Sequence, residues 1–164
     1  MVQPLDPHVD HVRGDPGGRL ILEYGDYECP YSRKAFREVQ RAEARAPVRF
    51  AFRHFPLTEI HPHALAAAAA AEAAALQERF WEMHELLFTR QKALEDGDLR
   101  GYAEQLGLDV TRFDDDRGSE GVLARIRRDV DSGLASGEVR GTPTLFIDGV
   151  LLEGPYDAAS LLQA

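Results

Sequence analysis

The change from an apolar run to a helical pattern at the single cysteine is the feature that most constrains how this chain folds. Arg19–Tyr24 is mostly apolar, and Cys29, the only cysteine, follows it after a short polar turn. Pro30 comes next, and Tyr31–Arg45 has apolar residues at helical spacing. Proline is favoured in the first turn of a helix, where its missing N–H costs nothing. The sequence therefore predicts a buried strand, a turn and a helix that begins beside Cys29.

This position has chemical consequences for the thiol. The unpaired N–H groups of a first helical turn, together with the positive end of the helix dipole, favour a thiolate, which is the reactive form of cysteine. A buried, inert cysteine is the alternative interpretation, because free cysteines are often buried. Ser32 lies three residues after Cys29, where a Cys-x-x-Cys redox motif would have its second cysteine.

A second strand is expected soon after the helix. Val48–Arg53 alternates between apolar and polar or small residues, and Ala46-Pro47 ends the helix before it. A strand, a helix and a second strand in this order form a right-handed parallel crossover. Sites in such sheets lie beyond the carboxyl ends of the strands, which is where Cys29 is placed.

The rest of the chain is mainly helical until the last third. We expect an irregular leader over residues 1–18, with a short strand possible near Val9–Val12, and one domain over residues 19–164. Asp148-Gly149 is a strong hairpin signal between a strand at Thr144–Ile147 and its antiparallel partner at Val150–Glu153. The other predicted helices are His63–Gln77, Glu78–Arg90, Leu99–Leu106 capped by Asp98, a short one starting at Asp109 or Thr111, Glu120–Gly133, and a last one capped by Asp157.

Composition excludes several classes of partner. The net charge of −9 argues against a nucleic-acid-binding protein, which needs a basic surface. No run approaches the roughly 18 apolar residues of a membrane span, and the N-terminus has no secretory signal. A single cysteine cannot form an intrachain disulfide, so we expect a cytoplasmic protein, in a compartment that keeps thiols reduced.

Four segments, in this order, resemble the thioredoxin superfamily and in particular its DsbA-like branch. They are Tyr24–Tyr31 with its Cys-Pro-Tyr, Phe52–Leu57 followed by His61–Ala64, Phe80–Phe88, and Val139–Gly149 with its Thr-Pro loop. The resemblance implies an α/β thioredoxin-like fold with an inserted helical subdomain over about residues 61–117, within the single domain.

The resemblance also implies which residues form the site. Pro143 would be a cis proline opposite the catalytic Cys29, and the backbone of Thr142 would pair with an extended peptide or with the cysteinyl unit of glutathione. Tyr27 and Tyr31 flank the cysteine and would line the substrate groove, together with Pro30. Glu23, in the first strand, would be a buried carboxylate that moves protons, as many thioredoxin-like proteins have there.

Ser32 determines the predicted mechanism. A serine hydroxyl can donate a hydrogen bond to the Cys29 thiolate, but it cannot resolve a mixed disulfide as a second thiolate does. We therefore predict a thiol–disulfide oxidoreductase with one nucleophilic cysteine, acting on protein or peptide thiols and disulfides, with an external thiol such as glutathione as co-substrate. A glutathione-dependent transferase or isomerase, a non-catalytic peptide-binding or chaperone-like module, and an engineered Cys-to-Ser trap are the alternatives.

Metal and cofactor sites are not predicted. His61-x-His63 alone is a weak signal, and the His-Glu-x-x-His spacing of a helical zinc site is absent. Helix caps and core packing account for His54, His61, His63 and His84. We expect no bound cofactor and no membrane partner.

Overall fold

The fold is a five-stranded mixed sheet with helices on both faces, in a computed structural model that describes residues 1–164. The predicted α/β class is confirmed. The strands are β1 (His11–Gly14), β2 (Arg19–Gly25), β3 (Val48–His54), β4 (Thr144–Ile147) and β5 (Val150–Leu151). The helices are α1 (Pro30–Arg45), α2 (Ala64–Ala75), α3 (Phe80–Thr89), α4 (Asp96–Gln105), α5 (Val110–Arg117), α6 (Glu120–Ser136) and α7 (Ala158–Gln163).

The order of the strands places β2 at the centre of the sheet. The order is β1-β3-β2-β4-β5, with β2 parallel to β3 and antiparallel to β4. Gly25, the last residue of β2, lies opposite His54, and Tyr24 lies opposite Thr144, the first residue of β4. The turn that follows β2 and the loop that precedes β4 therefore meet at one edge of the sheet.

Alternate residues of β2 and its neighbours fill two separate cores. Ile21 and Phe52 face a cluster of 26 buried residues that also includes side chains of α1, α2 and α3. Leu22 and Tyr24 face the other side, in a smaller cluster against which Val130 of α6 packs. Because both faces are buried, the sequence of β2 lacks the clean alternation of a half-exposed strand.

Four helices, α2 to α5, form an insertion between β3 and α6. The side chains of α2 are mostly buried alanines, whose small size lets neighbouring helices approach closely. The predicted start of α4 is wrong by three residues: Glu95, not Asp98, is the N-cap. The Glu95 N–H donates a hydrogen bond to the Asp98 carboxylate (3.0 Å), so Asp98 acts from within the first turn. None of the seven helices is both long and apolar enough to cross a membrane.

The N-terminal segment is built into the fold. Within residues 1–18, which the sequence predicts to be irregular, β1 pairs antiparallel with β3, and it begins at His11 rather than at Val9. Arg53 of β3 donates hydrogen bonds to the carbonyl oxygens of Gln3 (3.0 Å) and Pro4 (3.1 Å), which fixes the chain before β1.

An ion pair between Arg53 and Asp10 is the most deeply buried charge interaction of the fold. Arg53 Nε and Nη2 donate to the two carboxylate oxygens of Asp10, each at 2.9 Å, and both side chains are 0% exposed. Arg53 also donates to the Tyr24 hydroxyl (2.8 Å). Because a buried charge without its partner is strongly destabilising, this pair holds the N-terminal segment to the central sheet.

We expect Arg53→Met to lower the free energy of unfolding by about 3–5 kcal/mol, because it leaves the Asp10 carboxylate buried without its main partner. Arg100→Met is the matched control, since it breaks a pair with Asp114 in which Arg100 is 54% exposed, and it should cost less than about 1 kcal/mol. Urea denaturation of the three proteins measures both values. Equal, small losses in the two variants would contradict a structural role for the buried pair.

Candidate functional site

Cys29 lies at the predicted strand-to-helix junction. It is the N-cap residue of α1, with an extended backbone (φ −76°, ψ 122°), and Pro30 is the first residue of the helix. The Cys29 N–H donates to the carbonyl of Asp26 (3.1 Å), which closes the turn after β2. The residue is only 3% exposed, so a reacting partner reaches the sulfur through a narrow opening.

The loop before β4 lies against the sulfur. The Cys29 thiol donates to the carbonyl oxygen of Thr142 at 3.5 Å, and the Thr142–Pro143 peptide bond is cis. A cleft of about 350 Å³ borders this contact, lined by Thr142, Pro143, Leu152 and Tyr156 among others. The structure thus brings Cys29 next to Thr142 and Pro143, which follow it by more than a hundred residues in the chain.

The other predicted site residues surround the cysteine. Ser32 is fully buried, and its Oγ accepts a hydrogen bond from the Asp26 N–H (3.2 Å). Since a hydroxyl also has a hydrogen to donate, this bond leaves the predicted donation to Cys29 available. Pro30 is exposed and Tyr31 is 67% exposed, so both lie on the outer rim of the site. The prediction that Tyr27 lines the groove is wrong, because this residue is 1% exposed and its ring packs in the larger core.

The carboxylates of Asp26 and Glu28, the two acidic residues of the turn, accept hydrogen bonds from the loop after β3. The Asp26 carboxylate accepts hydrogen bonds from the Leu57 N–H (2.9 Å) and from His61 Nδ1 (2.8 Å). The Glu28 carboxylate accepts from the N–H and from Nδ1 of His63, both at 2.8 Å, and this bond raises the pKa of His63. These contacts tie the loop after β3 to the cysteine turn, and they give His61 and His63 a structural role.

Gln91 and Tyr156 belong to the site, although the sequence analysis missed both. The Gln91 side-chain amide donates to the carbonyls of Tyr27 (2.9 Å) and Cys29 (2.8 Å) and so fixes the turn from the side of α3. Burial raises the pKa of Tyr156, and negative charge on Cys29 and Glu23 raises it further, so this ring lies near both groups. Both residues come from loops without a periodic pattern, and no local signal marks them.

Glu23 is a buried carboxyl group close to the site. It is 1% exposed, and its Oε2 has no hydrogen-bond partner. Burial raises its pKa from an ordinary value near 4.5 to about 8, although the charge of Arg13 acts in the opposite direction. Gly25 leaves room for it, since a Cβ there would lie 2.6 Å from the Glu23 Oε2 and 2.5 Å from the Phe52 ring.

His11, His54 and Glu72 form the group best arranged to hold a metal ion, with ligand atoms within 4.8 Å of one another. Both histidine Nε2 atoms bond the same Glu72 oxygen, at 2.7 and 2.8 Å, and Arg125 lies 3.8 Å from the other. Burial acts to raise the pKa of Glu72, but the bonds from the two histidines hold it well below its usual range. The group is thus a hydrogen-bonded junction between β1, β3 and α2, which the sequence did not predict.

Known proteins share the fold of this chain. The family model described as "DSBA-like thioredoxin domain" matches residues 20–164. A thioredoxin-like oxidoreductase from Silicibacter pomeroyi superposes with a TM-score of 0.83 at 28% identity, covering 95% of this chain and 89% of that one. DsbA2 of Pseudomonas aeruginosa superposes with a TM-score of 0.76 at 25% identity, covering 99% and 94%. The predicted thioredoxin-like architecture with a helical insertion is therefore confirmed.

The curated relatives are much longer proteins. The Na(+)/H(+) antiporter NhaA 1 of Mycolicibacterium gilvum is 46% identical over 170 residues, which cover 100% of this chain and 27% of that protein. The chain spans about a quarter of the length of the curated relatives it matches.

The raised pKa of Glu23 predicts a specific dependence of stability on pH. The unfolded chain releases this proton near pH 4.5 and the folded protein near pH 8, so the folded state binds more protons in between. The free energy of unfolding therefore falls as the pH rises through this window, by roughly 3–5 kcal/mol from this residue alone. Glu23→Gln, which mimics the protonated form, should match the parent near pH 4.5 and exceed its stability at pH 8. Urea denaturation of both proteins between pH 4.5 and pH 8 tests this prediction. If the free energies of unfolding of the two proteins changed equally with pH, the prediction would be wrong.

Proposed function

The chain belongs to the DSBA-like thioredoxin domain family, and from this premise we propose that it is a thiol–disulfide oxidoreductase with Cys29 as its only nucleophile. Its fold is that of the DsbA-like thiol–disulfide oxidoreductases. The contact between Cys29 Sγ and the Thr142 carbonyl supports the proposal best, because it puts the only thiol against half-buried backbone beside a cleft.

We assign the binding of the substrate backbone to Thr142. An extended peptide, or the cysteinyl unit of glutathione, can add to this backbone as an extra strand and bring its sulfur towards Cys29. Pro30 and Tyr31 provide exposed apolar surface beside the cysteine, and Tyr156 lines the cleft together with Thr142. Protein or peptide thiols and disulfides are therefore the proposed substrates.

The proposed reaction consists of two exchanges. The Cys29 thiolate attacks one sulfur of a disulfide, forms a mixed disulfide with it and expels the other sulfur as a thiolate, which takes up a proton. An external thiolate then attacks the substrate sulfur of this adduct, forms a new disulfide with it and releases Cys29 as a thiolate. Ser32 has no sulfur with which to perform this second step, so we propose glutathione as the external thiol and a reducing cytoplasm as the location.

Glu23 is our candidate for the group that exchanges protons with these sulfurs. A pKa of about 8 lets a carboxyl group both hold and release a proton near neutral pH. Its unpartnered Oε2 is free to accept or donate, and both Glu23 and Cys29 lie close enough to Tyr156 to influence its pKa.

Oxidised glutathione should form one mixed disulfide per chain, on Cys29, and reduced glutathione should remove it. Intact mass spectrometry after brief exposure measures the adduct, and Cys29→Ala should form none. Cys29 remaining unmodified while a free model thiol is fully modified would contradict the proposal. Peptide binding that survived Cys29→Ala would then support a non-catalytic binding module, and turnover of small electrophiles without disulfide reduction would support a transferase.

Ser32→Cys should convert the site to dithiol chemistry. A cysteine at this position, three residues after Cys29, would attack the mixed disulfide from within the chain and make resolution independent of added glutathione. We expect insulin reduction with dithiothreitol to become at least about tenfold faster than in the parent, because an intramolecular thiol has a high effective concentration. The double variant Cys29→Ala/Ser32→Cys is the control. An unchanged rate of insulin reduction in Ser32→Cys would contradict this prediction, because it would show that the missing second thiol does not limit the rate of the parent protein.

A further inference from the structure

A second, smaller cavity lies on the other side of the cysteine turn and is lined by positive charge. Its volume is about 290 Å³, and it is formed by the first turn of α1 and the loop after α3. Three of its six lining residues are cations, and none is acidic. The lining consists of Arg33, Thr89, Arg90, Gln91, Lys92 and Ala93.

This cavity shares its wall with the site of Cys29. Gln91 lines it and donates to the Cys29 carbonyl at 2.8 Å. The Arg33 N–H donates to the same carbonyl at 3.1 Å, because Arg33 lies one helical turn after Cys29. Residues three or four apart lie on one face of a helix, so the Arg33 side chain leaves α1 on the same face as Cys29.

The cations of this cavity have no anionic partner in the protein. Arg33 Nε is buried and has no hydrogen-bond acceptor. None of Arg33, Arg90 and Lys92 takes part in an ion pair, although most other arginines of this acidic chain do. Arg33 is half-buried, whereas Arg90 and Lys92 are exposed. Arg90 contacts only the Tyr102 ring, at 5.6 Å. A buried N–H without an acceptor is costly, so an anion in this cavity would gain Arg33 Nε as a donor, with the exposed positive charges of Arg90 and Lys92 beside it.

We propose that this cavity is the subsite for one carboxylate of glutathione, an inference that rests on the proposed function above. Glutathione has two carboxylates and a thiol within one tripeptide. Guanidinium groups bind carboxylates with paired, charge-assisted hydrogen bonds, and Lys92 adds a third positive charge. A cavity of this size takes one end of the tripeptide and leaves its cysteinyl unit outside, next to the turn that contains Cys29.

Equilibrium binding of S-methylglutathione tests this subsite without any sulfur chemistry, because the methyl group blocks the thiol. Titration calorimetry compares the parent protein with Lys92→Gln and Arg90→Gln. Each substitution should raise the dissociation constant about threefold to tenfold, as expected when a charged hydrogen-bond donor is lost. Added salt should also weaken binding, because these charges are partly exposed.

Arg37→Gln is the matched control. It removes the same charge one helical turn after Arg33, but Arg37 is exposed and lines neither the cavity nor the cleft beside Thr142. Its dissociation constant should stay within about twofold of the parent's, since an exposed charge outside the site contributes little. Thermal melting of all variants verifies that they are folded.

The outcomes separate this inference from the proposed function. Absence of binding, or equal losses of affinity in Arg90→Gln and Arg37→Gln, overturns the subsite even if Cys29 forms a glutathione adduct. Selective loss in Lys92→Gln and Arg90→Gln supports the subsite even if Cys29 proves inert, in which case the oxidoreductase function fails and glutathione binding remains. With an active Cys29, the same variants should slow the reaction with oxidised glutathione but not with neutral 2-hydroxyethyl disulfide.

Discussion

The pairing of β2 with β3 on one side and with β4 on the other is the constraint on which the site depends. Backbone N–H and C=O groups in a buried sheet must find partners, so the register of these three strands is fixed along their length. Because Tyr24 pairs with Thr144, the residues just beyond, Cys29 and Thr142, are forced to the same edge. The contact between thiol and carbonyl is thus a result of sheet register rather than of the sequence beside the cysteine.

The acidic and the basic side chains around the cysteine turn have different surroundings. Asp26 and Glu28 use their carboxylates as acceptors for N–H groups and histidines of the neighbouring loop, which turns two nearby anions into structural groups. The third acid, Glu23, stays neutral up to about pH 8 because it is buried. Beside the first turn of α1, the positive charges of Arg33, Arg90 and Lys92 have no ion-pair partner, although the net charge of the chain is −9.

The sequence predicts the framework of the site well and its side-chain contacts poorly. Hydrophobic periodicity and Pro30 place Cys29 at the strand-to-helix junction, and the family resemblance selects Thr142 and Pro143, because these features depend on backbone geometry. Gln91 and the direction of Asp26 could not be predicted, since tertiary packing between loops orients them. The start of α4 was missed for a local reason: glutamate is a weak N-cap signal, and Asp98 offered a stronger one three residues later.

Ser32 connects the geometry of the turn to the need for an outside thiol. Its buried hydroxyl accepts the Asp26 N–H, so the side chain satisfies a backbone group that would otherwise be orphaned. In the proposed mechanism the absence of a second sulfur makes resolution bimolecular, and its rate then depends on how well the external thiol is held. The Gln91 side-chain amide and the Arg33 N–H both donate to the Cys29 carbonyl, so the cationic cavity that these residues line is next to the cysteine. We propose that the external thiol is bound there. On this view the serine and the unpaired cations are two parts of one arrangement, in which bound glutathione replaces the second cysteine.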